Sequence, residues 1–332
     1  MGATIQHITV FLPEQVLTNE DLALQLPGWH PEEIYQKVGI RQRHITGEHE
    51  TALDMAQKVC EKLFESYDRQ QVDFILLCTQ SPDHFLPTSA CLLQKRLGLS
   101  TSVGALDFAL GCSGYVYGLA TAKGLLAGGL ASTVLLVTAE TLSKHIHPRD
   151  KANRSLAGDA ATASIITLSD DNHIGEFVLG TEGNDRDMIV PNGACRHPYE
   201  MNPAEYTDKN GNVRTDNHYF MNGHEVFNFT MKKVPVLVKA VMAKNNLTMN
   251  TVDYFVFHQA NKFIIDHLRK MSGIPSEKFY LNMENTGNTS SCTIPIALRD
   301  ALDRHLIKKN DRVLLAGFGI GYSWAGTVIT IS

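Results

Sequence analysis

The chain has 332 residues, enough to bury a sizeable core as one large α/β domain or as two fused halves. A formal net charge of −5, with 20% charged residues, argues against bulk nucleic-acid binding while leaving room for a local basic patch. No apolar run approaches the roughly 20 residues of a membrane helix. The start, Met1-Gly2-Ala3-Thr4-Ile5-Gln6-His7, lacks a basic n-region and an h-region, so a cytoplasmic protein without membrane association is expected.

In chain order, helical stretches fall at about 52–68, 88–97 and 112–128. In the second part they fall at about 224–245, 260–272 and 289–306. Strand-like runs alternate with them, which implies parallel-rich sheets covered on both faces. Val103 to Leu110 is expected as a buried strand that ends at Gly111. The order of elements also repeats. Gln71-Val72-Asp73-Phe74-Ile75-Leu76-Leu77 recurs as Thr251-Val252-Asp253-Tyr254-Phe255-Val256-Phe257, and Val134-Leu135-Leu136 recurs as Val313-Leu314-Leu315. Closing runs follow at Ala163–Leu168 and Gly326–Ile331. Matches in the same order favour duplication, with one half at 1–172 and the other at 173–332. The polar stretch 184–219, with Pro191, Pro198, Pro203 and the turn Lys209-Asn210-Gly211-Asn212, is an irregular excursion; lid and surface loop both fit it.

Six cysteines (Cys60, Cys78, Cys91, Cys112, Cys195 and Cys292) show no CxxC pair, as reduced cytosolic thiols would. Cys112 stands out. It lies in Leu110-Gly111-Cys112-Ser113-Gly114-Tyr115, between an apolar strand and a helix rich in small residues. Orphan N–H groups and the helix dipole at such a position favour the nucleophilic thiolate. His258 ends the strand-like run 252–257 and opens His258-Gln259-Ala260-Asn261. Asn288 lies in the turn Asn285-Thr286-Gly287-Asn288-Thr289-Ser290, ahead of a helix expected from Thr289. Taken singly, each has a structural reading, as a core histidine or a helix cap. Together they occupy the strand ends where α/β sheets place ligands. Gly317-Phe318-Gly319-Ile320-Gly321 is expected as a turn after a strand 312–316, able to aim N–H groups at one point. His145-x-His147 fits an exposed loop pair better than a metal site, and Cys195 and Cys292 fit structural or surface thiols.

These motifs, taken in order, resemble β-ketoacyl-acyl-carrier-protein synthase III, a condensing enzyme of the thiolase superfamily. The resemblance runs from Leu12-Pro13-Glu14 and Gly39-Ile40-Arg41-Gln42-Arg43 through Gly158-Asp159 to Phe318. It implies an α/β fold of the thiolase type, five-layered αβαβα, with two pseudo-symmetric halves and a homodimer. It implies that Cys112 attacks an acyl-coenzyme A thioester, and that the backbone N–H groups of Cys112 and Ile320 form the oxyanion hole. Malonyl-acyl-carrier protein then loses carbon dioxide under hydrogen bonds from His258 and Asn288. The resulting carbanion takes the acyl group, giving 3-oxoacyl-acyl-carrier protein in fatty acid biosynthesis.

By the same resemblance Leu86, Gly223, Asn261 and Phe318 contact substrate, Phe318 where carboxylate is lost. Lys262, Arg269 and Lys270 form a basic face for the acyl carrier protein. Trp29, Lys37 and Lys151 stand at the coenzyme A mouth, which departs from the family. Glu33 replaces a tryptophan there and Phe263 an arginine. Leu86 replaces the phenylalanine that ends the acyl pocket of short-chain enzymes, so a primer longer or more branched than acetyl is expected. No cofactor and no metal are implied. The alternatives are a related enzyme of secondary metabolism that joins an acyl group to a β-keto acceptor, a thiolase, a cysteine protease and a non-catalytic scaffold. A thiolase would need a second cysteine near Gly319-Ile320-Gly321, and a protease a different motif around its cysteine.

Overall fold

A computed structural model describes residues 2–25 and 28–332. The first sheet has five strands in the order Gly2–Phe11, Ala160–Ser169, Thr133–Glu140, Phe74–Cys78 and Gly104–Phe108. The first two pairings are antiparallel and the last two parallel. The second sheet runs Val178–Thr181, Ser323–Thr330, Arg312–Gly319 and Tyr254–Phe257, again antiparallel twice and then parallel. The repeated sequences hold the same place in both. Phe74 pairs with Val134 in one sheet and Tyr254 with Val313 in the other.

Periodicity explains the layering. Strands Thr133–Glu140 and Arg312–Gly319 are buried nearly throughout because both of their faces are covered, and each carries a central apolar run. Helices Gly114–Ala127 and Thr293–Asp303 lie between the sheets, and Leu119, Leu126, Ile294 and Leu298 share one core with Leu76, Val134, Val256 and Leu315. Helices Ala52–Phe64 and Ser89–Arg96 cover the outer face of the first sheet. Gly223–Lys244 and Lys262–Met271 cover the outer face of the second. The result is five layers, αβαβα. The inner packing is close enough that a Cβ on Gly118 would come within 2.5 Å of Leu136.

Four expectations are corrected. Gly104–Phe108 is the half-exposed edge of its sheet, with one hydrogen-bonding side unpaired among the described residues, rather than a buried strand. The strand from Arg312 continues through Gly319, so the turn begins only at Ile320. Thr289 is followed by a short 3₁₀ turn, Ser290–Cys292, and the helix starts at Thr293. His147 is buried at 7% exposure instead of lying in an open loop, with its ring edge on His218 at 4.8 Å and Nε2 3.3 Å from Glu205.

The 184–219 stretch is folded onto the body. Met188–Ile189 pairs with Phe220–Met221, and Tyr206–Thr207 with Val213–Arg214. Asn217 ties the span between them, donating to the Glu200 carbonyl at 2.8 Å and accepting from its N–H at 3.2 Å. No helix among the described residues is long and apolar enough to cross a membrane.

Candidate active site

The nucleophile turn is held by contacts from both halves. Ser113 precedes the helix Gly114–Ala127, and its hydroxyl, which makes no capping bond to that helix, lies 2.7 Å from that of Ser323. Ser323 Oγ donates to the Ile320 carbonyl at 2.8 Å. That proton is then committed, so Ser113 is the donor to Ser323. The two halves approach so closely that a Cβ on Gly317 would stand 2.9 Å from the Cys112 carbonyl. One on Gly319 would stand 2.6 Å from Cys112 Sγ.

Cys112 is 6% exposed, and burial pushes its thiol up to about 11. The nearby Ile320 N–H, the Ser290 side chain and its own N–H act in the opposite sense, while Glu140 adds to the rise. The thiolate expected from the helix terminus is therefore not the resting form, because removing the sulfur from water costs the anion more than the nearby donors return. The N–H groups of Ile320 and Cys112 nevertheless lie beside the sulfur, within reach of an oxygen on a carbon bonded to it.

His258 follows the strand Tyr254–Phe257, and its N–H bonds the Ala316 carbonyl at 2.8 Å. The side chain is buried, which lowers its pKa to about 3, and the ring is neutral at pH 7. Nδ1 lies 2.8 Å from the Thr293 hydroxyl, and Phe318 meets the ring edge-on at 5.7 Å. Asn288 is held by its N–H on the Leu156 carbonyl at 2.8 Å. Its Oδ1 accepts from the Ser290 N–H at 3.0 Å, which leaves the amide NH₂ pointing toward Ala260 and the cavity.

Cys112, His258 and Asn288 meet on one cavity of about 480 Å³. Phe318, Ile320, Gly223 and Asn261 also line it, and Asn261 Oδ1 caps the following helix through the Ile264 N–H at 2.9 Å. One wall is apolar, built from Leu142, Ile146, Met188, Tyr219 and Met221. Three of these belong to the 184–219 stretch and its closing strand. At the mouth stand Lys37, His224, Phe227 and Phe263, the two phenylalanines stacked at 5.9 Å.

Other expected residues lie elsewhere. Leu86 is 85% exposed and does not line this chain's cavity. Trp29 packs on Leu17, Leu22 and Ile34, and neither it nor Lys151 lines the cavity. Lys262 and Lys270 are exposed, but Arg269 turns inward to the Ile274 carbonyl at 2.9 Å, with Asp266 beside it. Among the described residues no three His, Cys, Asp or Glu side chains are grouped to hold a metal ion. Thr293 was not singled out from the sequence, and Ser290 and Gly319 entered there only as members of turn motifs. The repeated contact of the Gly-Asn-Thr-Ser segment with both Cys112 and His258 exists only in three dimensions.

A buried cysteine between two similar α/β halves, facing a histidine and an asparagine from the second half, defines a thiolase-like condensing fold and site. Residues 106–183 match the family described as 3-oxoacyl-[acyl-carrier-protein (ACP)] synthase III, and residues 242–331 its C-terminal counterpart. The chain is 32% identical to a β-ketoacyl-[acyl-carrier-protein] synthase III of Streptococcus agalactiae, over 99% of both chains. A crystal structure of a 3-oxoacyl-(acyl-carrier-protein) synthase III superposes with a TM-score of 0.97 at 47% identity, covering 100% of each chain. That of a 3-oxoacyl-(acyl-carrier protein) synthase from Burkholderia xenovorans gives 0.92 at 31%, covering 100% of this chain and 95% of that one. The chain belongs to the β-ketoacyl-acyl-carrier-protein synthase III family.

Proposed function

We propose that this protein joins an acyl-coenzyme A primer to malonyl-acyl-carrier protein by decarboxylative Claisen condensation, in fatty acid biosynthesis. The observation that carries this reading is the convergence of Cys112, His258, Asn288 and the Ile320 N–H on one cavity. Cys112 takes the acyl group, coenzyme A leaves, and the N–H groups of Cys112 and Ile320 hold the tetrahedral oxyanion. The malonyl thioester then binds with its carbonyl at Asn288 Nδ2 and the His258 ring. Its carboxylate lies toward Phe318, where an apolar wall disfavours charge and favours loss of carbon dioxide. The enolate carbon attacks the acyl-Cys112 carbonyl, and the sulfur leaves. No cofactor takes part.

The primer is longer than acetyl. The apolar wall of Leu142, Ile146, Met188, Tyr219 and Met221 supports this, since a two-carbon chain would leave most of that wall without an apolar partner. The exposed Lys262 and Lys270 meet the acidic carrier protein, and Lys37 meets coenzyme A phosphate. The protein works in the cytoplasm as a homodimer. The free edge of Gly104–Phe108, with Leu106, Phe85 and Leu86 exposed, supports a second copy on that side.

Intact-protein mass after incubation with acyl-coenzyme A of two to twelve carbons tests the reading. Wild type gains each acyl mass and Cys112→Ala gains none, with the fastest transfer at six carbons or more. No adduct from any primer would end the proposal, and strict preference for acetyl would end its primer assignment.

A further inference from the structure

The Thr293 hydroxyl lies 2.8 Å from His258 Nδ1 and 3.0 Å from the Ser290 carbonyl oxygen. A carbonyl only accepts, and a hydroxyl carries one proton. Donation to Ser290 therefore leaves the threonine oxygen facing Nδ1 with a lone pair. A backbone contact with Ser290 favours the protonated ring, which marks an acceptor beside it, and at Nδ1 the threonine oxygen calls for a hydrogen on that nitrogen. The ring is neutral and carries a single N–H. Its other nitrogen, Nε2, faces the cavity as an acceptor.

We propose that Thr293 is a positioning residue that holds His258 as the Nδ1–H tautomer, so that Nε2 receives the Cys112 thiol proton when the acyl-enzyme forms. This rests on the acyl-transfer reading above. In that step the Cys112 Sγ–H bond breaks, its proton moves to Nε2, and the sulfur pair forms the bond to the acyl carbonyl carbon. Collapse of the tetrahedral species breaks the bond to coenzyme A, whose sulfur takes the proton from Nε2 and departs as a thiol. The ring returns to its Nδ1–H form. Condensation consumes one proton overall, because Cys112 must end as a thiol. That proton enters from solvent at Nε2, donates to the enolate oxygen during decarboxylation, and finishes on Cys112 sulfur.

The arrangement accounts for two otherwise separate features. The resting nucleophile is a protonated thiol, which needs an acceptor close by, and the histidine is buried where it stays neutral. A neutral imidazole with its lone pair turned to the cavity supplies that acceptor.

The test is ¹⁵N NMR of protein labelled at histidine, with His258→Gln identifying the ring signals. Wild type and Thr293→Ser show His258 with hydrogen on Nδ1 and a bare Nε2; Thr293→Val shows loss of that single form. Acyl transfer to Cys112, followed by mass in a quenched time course, slows by roughly 10-fold or more in Thr293→Val. Thr293→Ser restores it. Hydrogen on Nε2 in wild type overturns the proposal, and so does wild-type acyl transfer in Thr293→Val. If Thr293→Val does not fold, the wild-type spectrum decides alone. Absence of acyl transfer in wild type would sink the condensing reading instead, while the tautomer would still be read directly.

Discussion

Gly319→Ala isolates the close approach on which the site depends. The added methyl carbon would sit 2.6 Å from Cys112 Sγ and 2.8 Å from its Cβ, where non-bonded heavy atoms ordinarily keep about 3.5–4.0 Å. Relief requires a relative shift of about 1 Å between the nucleophile turn and the strand Arg312–Gly319. The next residue on that strand's course, Ile320, supplies the N–H that meets the sulfur. Displacement therefore affects the nucleophile and the oxyanion donor together. A misplacement of about 1 Å costs about 100-fold in rate, which is about 2.7 kcal/mol of barrier. Overpacking adds a stability cost of about 1–3 kcal/mol. Acyl transfer to Cys112 by mass, with thermal melts beside it, separates the two effects. A variant that acylates within threefold of wild type would refute the geometry, whatever its melting temperature.

Asn288→Asp keeps the acceptor for the Ser290 N–H and removes the NH₂ aimed at the cavity. Condensation should fall about 10²- to 10³-fold, as for loss of one oxyanion donor, with a far smaller fall in acyl transfer. Equal loss in both steps would count against this role. Glu140 is buried, with its oxygens on the Ser291 hydroxyl at 2.8 Å and the Gln80 N–H at 3.1 Å, and burial raises its pKa to about 8. A raised carboxyl stabilises fully below its unfolded value near 4.5, and that contribution is lost as pH climbs through 8. Glu140→Gln should therefore lose less stability than wild type between pH 5 and pH 8.5 in denaturant titrations; parallel loss would contradict the assignment. Lys270→Glu should raise the KM for malonyl-carrier protein several-fold, more at low salt, and leave acyl-coenzyme A transfer unchanged. An equal effect on both substrates would rule out docking at this face.

Much of the plan was legible in the residues. The echo of Thr251–Phe257 with Gln71–Leu77 marks equivalent strands because a buried parallel strand needs a continuous apolar run. Cys112, His258 and Asn288 were legible because each sits at a strand end or glycine turn, where side chains are free to face a ligand. The state of Cys112 was not legible. Its local sequence carries the helix terminus but not the burial that outweighs it. Leu86 shows the same limit, since the direction its loop takes depends on contacts distant in sequence.

The sequence by itself determined the repeated α/β order and the family, and it singled out Cys112, His258 and Asn288, because these depend on local periodicity and on residue types at turns. The tertiary structure alone decided which surfaces meet the sulfur and how protons are arranged around it. Gly319, Ser290 and Thr293 gain their roles from contacts between segments far apart in the chain. The irregular stretch 184–219 likewise becomes a cavity wall only when Met188 and Tyr219 are packed beside Ile146. Desolvation and close approach are properties of the assembled neighbourhood, and short-range sequence patterns do not encode them.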